Sequence, residues 1–217
     1  MIKAVIFDMD GVIIDSEAVY LEKIWKFGVK KNPDLQLEQL YPMVGASRED
    51  CWTVCSRAIG YGDDWERVRK EFSEEDSRTG GIDYRAIFRT EIPGILKQLQ
   101  DRGYKLAVAS STELALVKRV MEENGIIDYF EVLVSGEQFT RSKPDPEIYQ
   151  YTAGKLGVIP SECLAVEDST FGVTAGHRAG MKVAALKDER FRFDQSLADY
   201  HMDSLNEIIE ILKGLEA

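Results

Sequence analysis

The chain reads as an α/β protein, a doubly wound parallel sheet with an all-helical domain inserted into it. Three observations predict this. A short apolar run, Ala4 to Phe7, stands near the N-terminus; the stretch 15–85 shows only helical and loop patterns; from Ile92 onward helical segments alternate with short apolar runs. Strands alternating with helices of this length imply parallel pairing through helical crossovers.

The first run is apolar on both faces and holds β-branched residues, as a fully buried parallel strand requires. Asp8 and Asp10 follow at once, with Gly11 behind them. They are expected at the carboxyl end of that strand, where open α/β sheets place their ligands. Two acids there repel each other, so positive charge is expected between them. A single aspartate would read most simply as a turn or cap. A pair one residue apart, followed by glycine, points to chemistry.

In the inserted block, Tyr20, Ile24 and Phe27 share a helical face that Gly28 is expected to terminate. Ser47-Arg48-Glu49-Asp50 has the form of a capping box, with Ser47 at the N-cap. Cys51, Val54, Cys55, Ala58 and Ile59 then form one apolar stripe, and Trp65, Val68 and Phe72 another. Beyond the block, Ile95, Leu96 and Leu99 line a helix that closes at Gly103. Strands are expected at 105–109, 132–134, 164–166 and 183–186, and helices at 113–123, 146–156, 170–179 and 205–212. The expected division is 1–14 with 86–217 as the α/β core and 15–85 as the helical domain, joined by short linkers at 10–16 and 80–92.

The 217 residues carry a formal charge of −11, which leaves no basic face for nucleic acid or for an anionic membrane surface. Neither is expected as a partner. No segment approaches the ~20 apolar residues that span a bilayer, and Asp8 and Asp10 interrupt what would be a signal-peptide core. Cys51, Cys55 and Cys163 suggest a reducing, cytoplasmic compartment. The first two lie four apart on a helix with no Cys or His nearby, so they read as small hydrophobes rather than zinc ligands or a disulfide. The two histidines, His177 and His201, stand far from any nucleophile signature, which argues against Ser-His or Cys-His catalysis. The strong net charge suits a monomer, which is the expected state.

Polar residues collect at the carboxyl ends of several predicted strands. Asp8 and Asp10 follow the first; Ser110, Ser111 and Thr112 follow 105–109; Lys143, stiffened by Pro144 and Pro146, follows 132–134; Glu167 and Asp168 follow 164–166. In a right-handed parallel sheet these tips face one way. Each group has a plainer role available: the hydroxyls or the acids as helix caps, the lysine as an ordinary surface residue. Their convergence on one edge favours phosphoryl transfer. Aspartate attacks phosphorus once a cation offsets repulsion. Mg²⁺ takes oxygen ligands, which Asp8 and Asp168 can supply. Lys143 and Ser110 can hold the transferring group, while Asp10 protonates the leaving oxygen and later deprotonates water.

Asp8-Met9-Asp10-Gly11-Val12, Ser110, Lys143-Pro144 and Glu167-Asp168 resemble the four motifs of the haloacid dehalogenase-like superfamily. The resemblance is nearest to its β-phosphoglucomutase and sugar-phosphatase branch, and extends to Asp15-Ser16-Glu17 and Ser169-Thr170-Phe171-Gly172-Val173. It implies a Rossmann-like core with a helical cap, Asp8 as nucleophile forming an aspartyl-phosphate, and Asp10 as acid and base. It also implies Mg²⁺ held by Asp8, the Asp10 carbonyl and Asp168 with help from Glu167, and a phosphoryl group held by Ser110, Ser111 and Lys143. Dehalogenating members lack the second aspartate, and phosphonate-cleaving relatives usually carry alanine there, so Asp10 implies phosphate esters.

The expected reaction is therefore hydrolysis of a small phosphorylated metabolite, most simply a sugar phosphate. The alternative is a β-phosphoglucomutase, which returns the phosphoryl group to a sugar hydroxyl. Gly45-Ala46-Ser47-Arg48 resembles the mutase cap segment, where the arginine grips a second phosphate; an ordinary surface ion pair is the competing role for Arg48. Tyr20 and Val44 stand where well-known mutases have histidine and lysine, which favours the phosphatase. A non-catalytic sensor would be expected to have lost the nucleophile or the metal acid, and both are present.

Overall fold

The computed structural model describes residues 1–45, 48–78 and 81–216. It divides into two compact units, Met1–Asp15 with Tyr84–Ala217, and Ser16–Asp83.

The first unit is built on six strands: β1 (Ala4–Phe7), β2 (Lys105–Ser110), β3 (Val132–Ser135), β4 (Cys163–Glu167), β5 (Lys182–Leu186) and β6 (Tyr200–Met202). Their order is β3-β2-β1-β4-β5-β6, and every neighbouring pair is parallel. The chain thus winds outward from β1 in both directions, the doubly wound arrangement that the sequence predicts. The two halves part at β1, and ligands bind in the crevice beyond the carboxyl ends of the strands at such a point.

Register sets the site. Phe7 pairs with Val108 of β2 and with Val166 of β4. One residue further on, Asp8 comes level with Ala109 and Glu167, and its N–H donates to the Val166 carbonyl at 2.9 Å. All four residues of β1 are buried, so the strand is held by packing on both faces.

On one face Ile6, Ala107, Ala109 and Ala165 pack with Ile148, Tyr149, Leu156 and Val173 from α6 (Glu147–Leu156) and α7 (Thr170–Arg178). The alanines let those helices lie close. At Gly176 an added Cβ would stand 3.0 Å from Val183 Cγ2 and 3.2 Å from Ala165 Cβ, so α7 needs glycine at that contact. On α4 (Ile92–Asp101), Ile92, Ile95, Leu96 and Leu99 are all fully buried at helical spacing. Each such side chain contributes ~1.5–3 kcal/mol of burial free energy.

Two local expectations for this unit are corrected. A sixth strand, β6, joins those expected: it is three residues long and only Met202 is buried, so it shows no alternation to read. The hydroxyls of 110–112 do not cap α5 (Leu114–Glu123); the N-cap is Glu113 without a side-chain bond, and Glu137 Oε2 instead accepts from the Leu114 N–H at 2.8 Å. At α7 the cap is Ser169, whose Oγ accepts from the Gly172 N–H at 3.1 Å.

The second unit contains α1 (Glu17–Val29), α2 (Arg48–Ala58) and α3 (Trp65–Arg78). Phe72 anchors its interior, edge-on to Phe27 at 5.6 Å and tilted against Trp52 at 5.1 Å. Gly28 does not stop α1, a further correction. It lies buried within the helix, where an added Cβ would meet Leu35 Cδ2 at 2.5 Å, so its role is close packing. Gly45 has φ +71°, a left-handed conformation suited to glycine. Ser47, the expected cap of α2, and the Arg48 side chain lie outside the described residues.

Candidate active site

β1, β2 and β4 end side by side, and their polar continuations meet with Lys143 from the loop between β3 and α6. Asp8 and Lys143 are 7% exposed, Asp168 2%, and Glu167 and Ser110 0%. Burying this many ionisable groups costs several kcal/mol each unless they are paired, so their pairing organises the site.

Lys143 is the hub. Its Nζ lies 2.6 Å from Asp8 Oδ1, 2.6 Å from Glu167 Oε1 and 3.0 Å from the Ala109 carbonyl. The Tyr149 hydroxyl donates to the same Glu167 oxygen at 2.6 Å. Glu167 Oε2 accepts from the Asp168 N–H at 3.2 Å.

Electrostatics follow from this burial. Loss of water raises the Asp8 carboxyl to about 7; Lys143 pulls it down, while Glu167 and Asp10 push it up. Burial alone would lower the Lys143 ammonium, yet the Asp8 and Glu167 charges outweigh it and raise it. Burial and then Glu167 lift the Tyr149 phenol well above its ordinary value.

Asp8, Glu167 and Asp168 offer carboxylate oxygens that lie within 4.8 Å of one another. When all are ionised, three carboxylates against one lysine leave two negative charges, the complement of a divalent cation. All-oxygen donors suit a hard ion such as Mg²⁺. The turn after β1 makes room for the set: Gly11 has φ +80°, and an added Cβ would stand 1.9 Å from Asp168 Oδ2. Gly172 does the same for Glu167, with Oε2 at 1.9 Å.

Asp10 sits at the edge, half-buried, and its Oδ2 accepts from Thr112 Oγ1 at 2.7 Å. Ser110 Oγ accepts from the Thr112 N–H at 3.0 Å, and Ser111 is exposed. The sheet unit therefore brings Asp8, Lys143 and Glu167 into direct contact, with Asp168 beside them and Ser110 and Asp10 at neighbouring tips. Gly45 and Arg48 belong to the helical unit.

Three residues of the site escape sequence reasoning. Tyr149 reads in sequence as one more buried residue of α6. Gln195 donates through Nε2 to the Asp168 and Leu186 carbonyls, fastening the loop after β4 to the end of β5. Arg89 donates through Nη2 to the Gly11 carbonyl at 3.1 Å. Gln195 comes from an irregular segment, where no periodicity marks it. A lone arginine such as Arg89 carries no signal either.

Buried acids and a lysine at the switch point of a parallel sheet, with a helical unit inserted after the first strand, define the class as an α/β enzyme with a helical insertion. The chain belongs to the haloacid dehalogenase-like hydrolase family, whose model matches residues 5–186. It is 31% identical over 187 residues to a phosphorylated carbohydrates phosphatase of Thermotoga maritima, covering 83% of this chain and 82% of that one. It is 28% identical over 229 residues to a phosphoglycolate phosphatase of Aquifex aeolicus, covering 97% and 96%. A β-phosphoglucomutase of Clostridium difficile shares the fold at TM-score 0.80 and 24% identity, covering 99% of this chain and 96% of that one.

Proposed function

We propose that this protein is a Mg²⁺-dependent phosphatase of small phosphate monoesters, sugar phosphates first among them, working through an aspartyl-phosphate on Asp8. The observation that carries this reading is the buried Asp8–Lys143–Glu167 contact, both distances 2.6 Å, with Asp168 alongside. The Thermotoga relative supports carbohydrate phosphates as the first class to test.

Mg²⁺, when held by Asp8, Asp168 and Glu167 with the Asp10 carbonyl, supplies the charge neutralisation that lets an anionic nucleophile approach an anionic ester. Lys143, Ser110 and Ser111 hold the phosphoryl oxygens, stabilising charge as it spreads in the transition state. The Asp8 carboxylate attacks phosphorus and the ester P–O bond breaks. Asp10 gives its proton to the leaving oxygen, then takes one from the water that attacks the aspartyl-phosphate and frees Asp8. Thr112 holds Asp10 ready for these transfers.

The helical unit is proposed as the cap that selects substrate, with Gly45 and Arg48 contributing from it. If a sugar hydroxyl replaced water in the second step, the same site would act as a β-phosphoglucomutase. Both phosphatases above favour water. The protein is further proposed to be a cytoplasmic monomer, which suits its three free thiols.

The test is a panel of phosphorylated metabolites with Mg²⁺, scored for free phosphate and for isomerised product. Phosphate release is expected. Isomerised glucose 6-phosphate without phosphate release establishes the mutase instead, and no turnover of any ester overturns both.

A further inference from the structure

Tyr149 has no part in the chemistry above, yet it stands at the centre of the charge cluster. It is wholly buried on α6. Its hydroxyl donates to Glu167 Oε1 at 2.6 Å and lies 3.4 Å from Lys143 Nζ, and that ammonium sits 5.0 Å from the ring centroid. A residue serving only to fill the core needs no hydroxyl. Phenylalanine would occupy the same volume without a polar atom to desolvate.

We infer that Tyr149 is a positioning residue: by donating to Glu167 it fixes that carboxylate and, through it, sets the Lys143 ammonium for the phosphoryl group. The inference rests on the phosphatase reading, which makes Lys143 a phosphoryl ligand.

Proton supply is the limiting quantity at this ammonium. It has three protons for four acceptors: Asp8 Oδ1, Glu167 Oε1 and the Ala109 carbonyl at 3.0 Å or less, and more loosely the Tyr149 hydroxyl oxygen at 3.4 Å. A phosphoryl oxygen gains a proton only if one of these contacts gives way. The Ala109 carbonyl is fixed in β2, and Asp8 is the reacting group. Glu167 Oε1 shares its charge between two donors, so its hold on Lys143 is the one Tyr149 weakens. The hydroxyl also keeps the carboxylate from following the lysine. Together with the Asp168 N–H on Oε2 and the glycine surface at Gly172, it clamps Glu167 from several sides.

The test compares wild type, Tyr149→Phe, Glu167→Ala and the double variant. The readout is affinity for inorganic phosphate, measured by calorimetry after thermal melts have shown each protein to be folded. The Mg²⁺ concentration is one that a separate titration has shown to saturate each variant, since Glu167 is also assigned to the cation. Loss of a hydrogen bond to a charged acceptor predicts phosphate binding about tenfold weaker in Tyr149→Phe, with kcat/KM falling in step. In the Glu167→Ala background the same change should shift phosphate affinity by less than about twofold, because the acceptor is gone. Unchanged phosphate affinity in Tyr149→Phe overturns the inference. So does an equal loss in the Glu167→Ala background, which would mean that Tyr149 acts without Glu167. If Tyr149→Phe melts too low at 25 °C, the comparison is made in the cold with sucrose; failure to fold even there makes the hydroxyl structural and overturns it too. Wild type that neither binds phosphate nor turns over esters sinks the phosphatase reading as well, whereas wild type that does both while Tyr149→Phe matches it sinks Tyr149 alone.

Discussion

Lys143 Nζ and Asp8 Oδ1 lie 2.6 Å apart although 135 positions separate them in the chain. The pair is buried, so each partner compensates the desolvation of the other. Removing Lys143 strands the Asp8 and Glu167 carboxylates in a region of low polarity, whereas removing the Asp8 charge leaves Lys143 still paired with Glu167.

Asp8→Asn is the direct test of the nucleophile. Turnover should fall by more than about 10³-fold, since the amide forms no phosphoryl ester. The fold should survive, because the amide carbonyl still accepts from Lys143. Phosphate release and a thermal melt on the same sample check both halves, and near-normal turnover would exclude the covalent route.

Magnesium affinity should depend on pH through Asp8. Its carboxyl is raised from 3.8 to about 7 by burial in the metal-free protein, and a cation binds the ionised form. Affinity should weaken roughly tenfold per pH unit below about 7 and level off above it. The same raised group makes the metal-free protein less stable as pH climbs from 3.8 towards 7, since the folded state holds the proton that the unfolded state releases. Calorimetric titrations at pH 6, 7 and 8, with melts in chelator, report both slopes. A pH-independent affinity would count against Asp8 as a ligand.

Gly11→Ala should damage the site more than its size suggests. The backbone there has φ +80°, and the new methyl would meet Asp168 Oδ2 at 1.9 Å. Forcing a side chain into that conformation costs about 1–3 kcal/mol, and Asp168 must also move. Magnesium binding should weaken at least about tenfold, with a lower melting temperature. Wild-type affinity in this variant would show that Asp168 lies elsewhere when the cation is bound.

The thiols should be unreactive in the native protein. Burial pushes Cys51, Cys55 and Cys163 up to about 12, so at pH 8 only roughly one in ten thousand is thiolate. A disulfide reagent should titrate all three in guanidinium and almost none in buffer over minutes. Fast native reaction of one thiol would locate an opening in its unit.

Much of the site is legible in the sequence because its residues break a pattern. Asp8 and Asp10 interrupt an apolar run, Lys143 is followed by prolines at 144 and 146, and Glu167-Asp168 end another apolar run. Tyr149 keeps to the pattern: a tyrosine on the buried face of α6 is what a core contains. Its hydroxyl becomes informative only when Glu167 is seen 2.6 Å away. Gly28 misleads because glycine ends helices by conformation but also permits close packing, and only the position of Leu35 decides between them. β6 escapes because three residues, one of them buried, carry no period.

The strand that leads to Asp8 is synthesised before both of its neighbours, since β2 and β4, which flank it, begin only at Lys105 and Cys163. Until β2 has been synthesised this wholly apolar segment has no strand to bond with, and until β4 follows one of its edges stays open. Contacts of such sequence separation slow folding and expose the nascent chain to aggregation. A chain truncated before residue 163 is therefore expected to be insoluble rather than merely inactive.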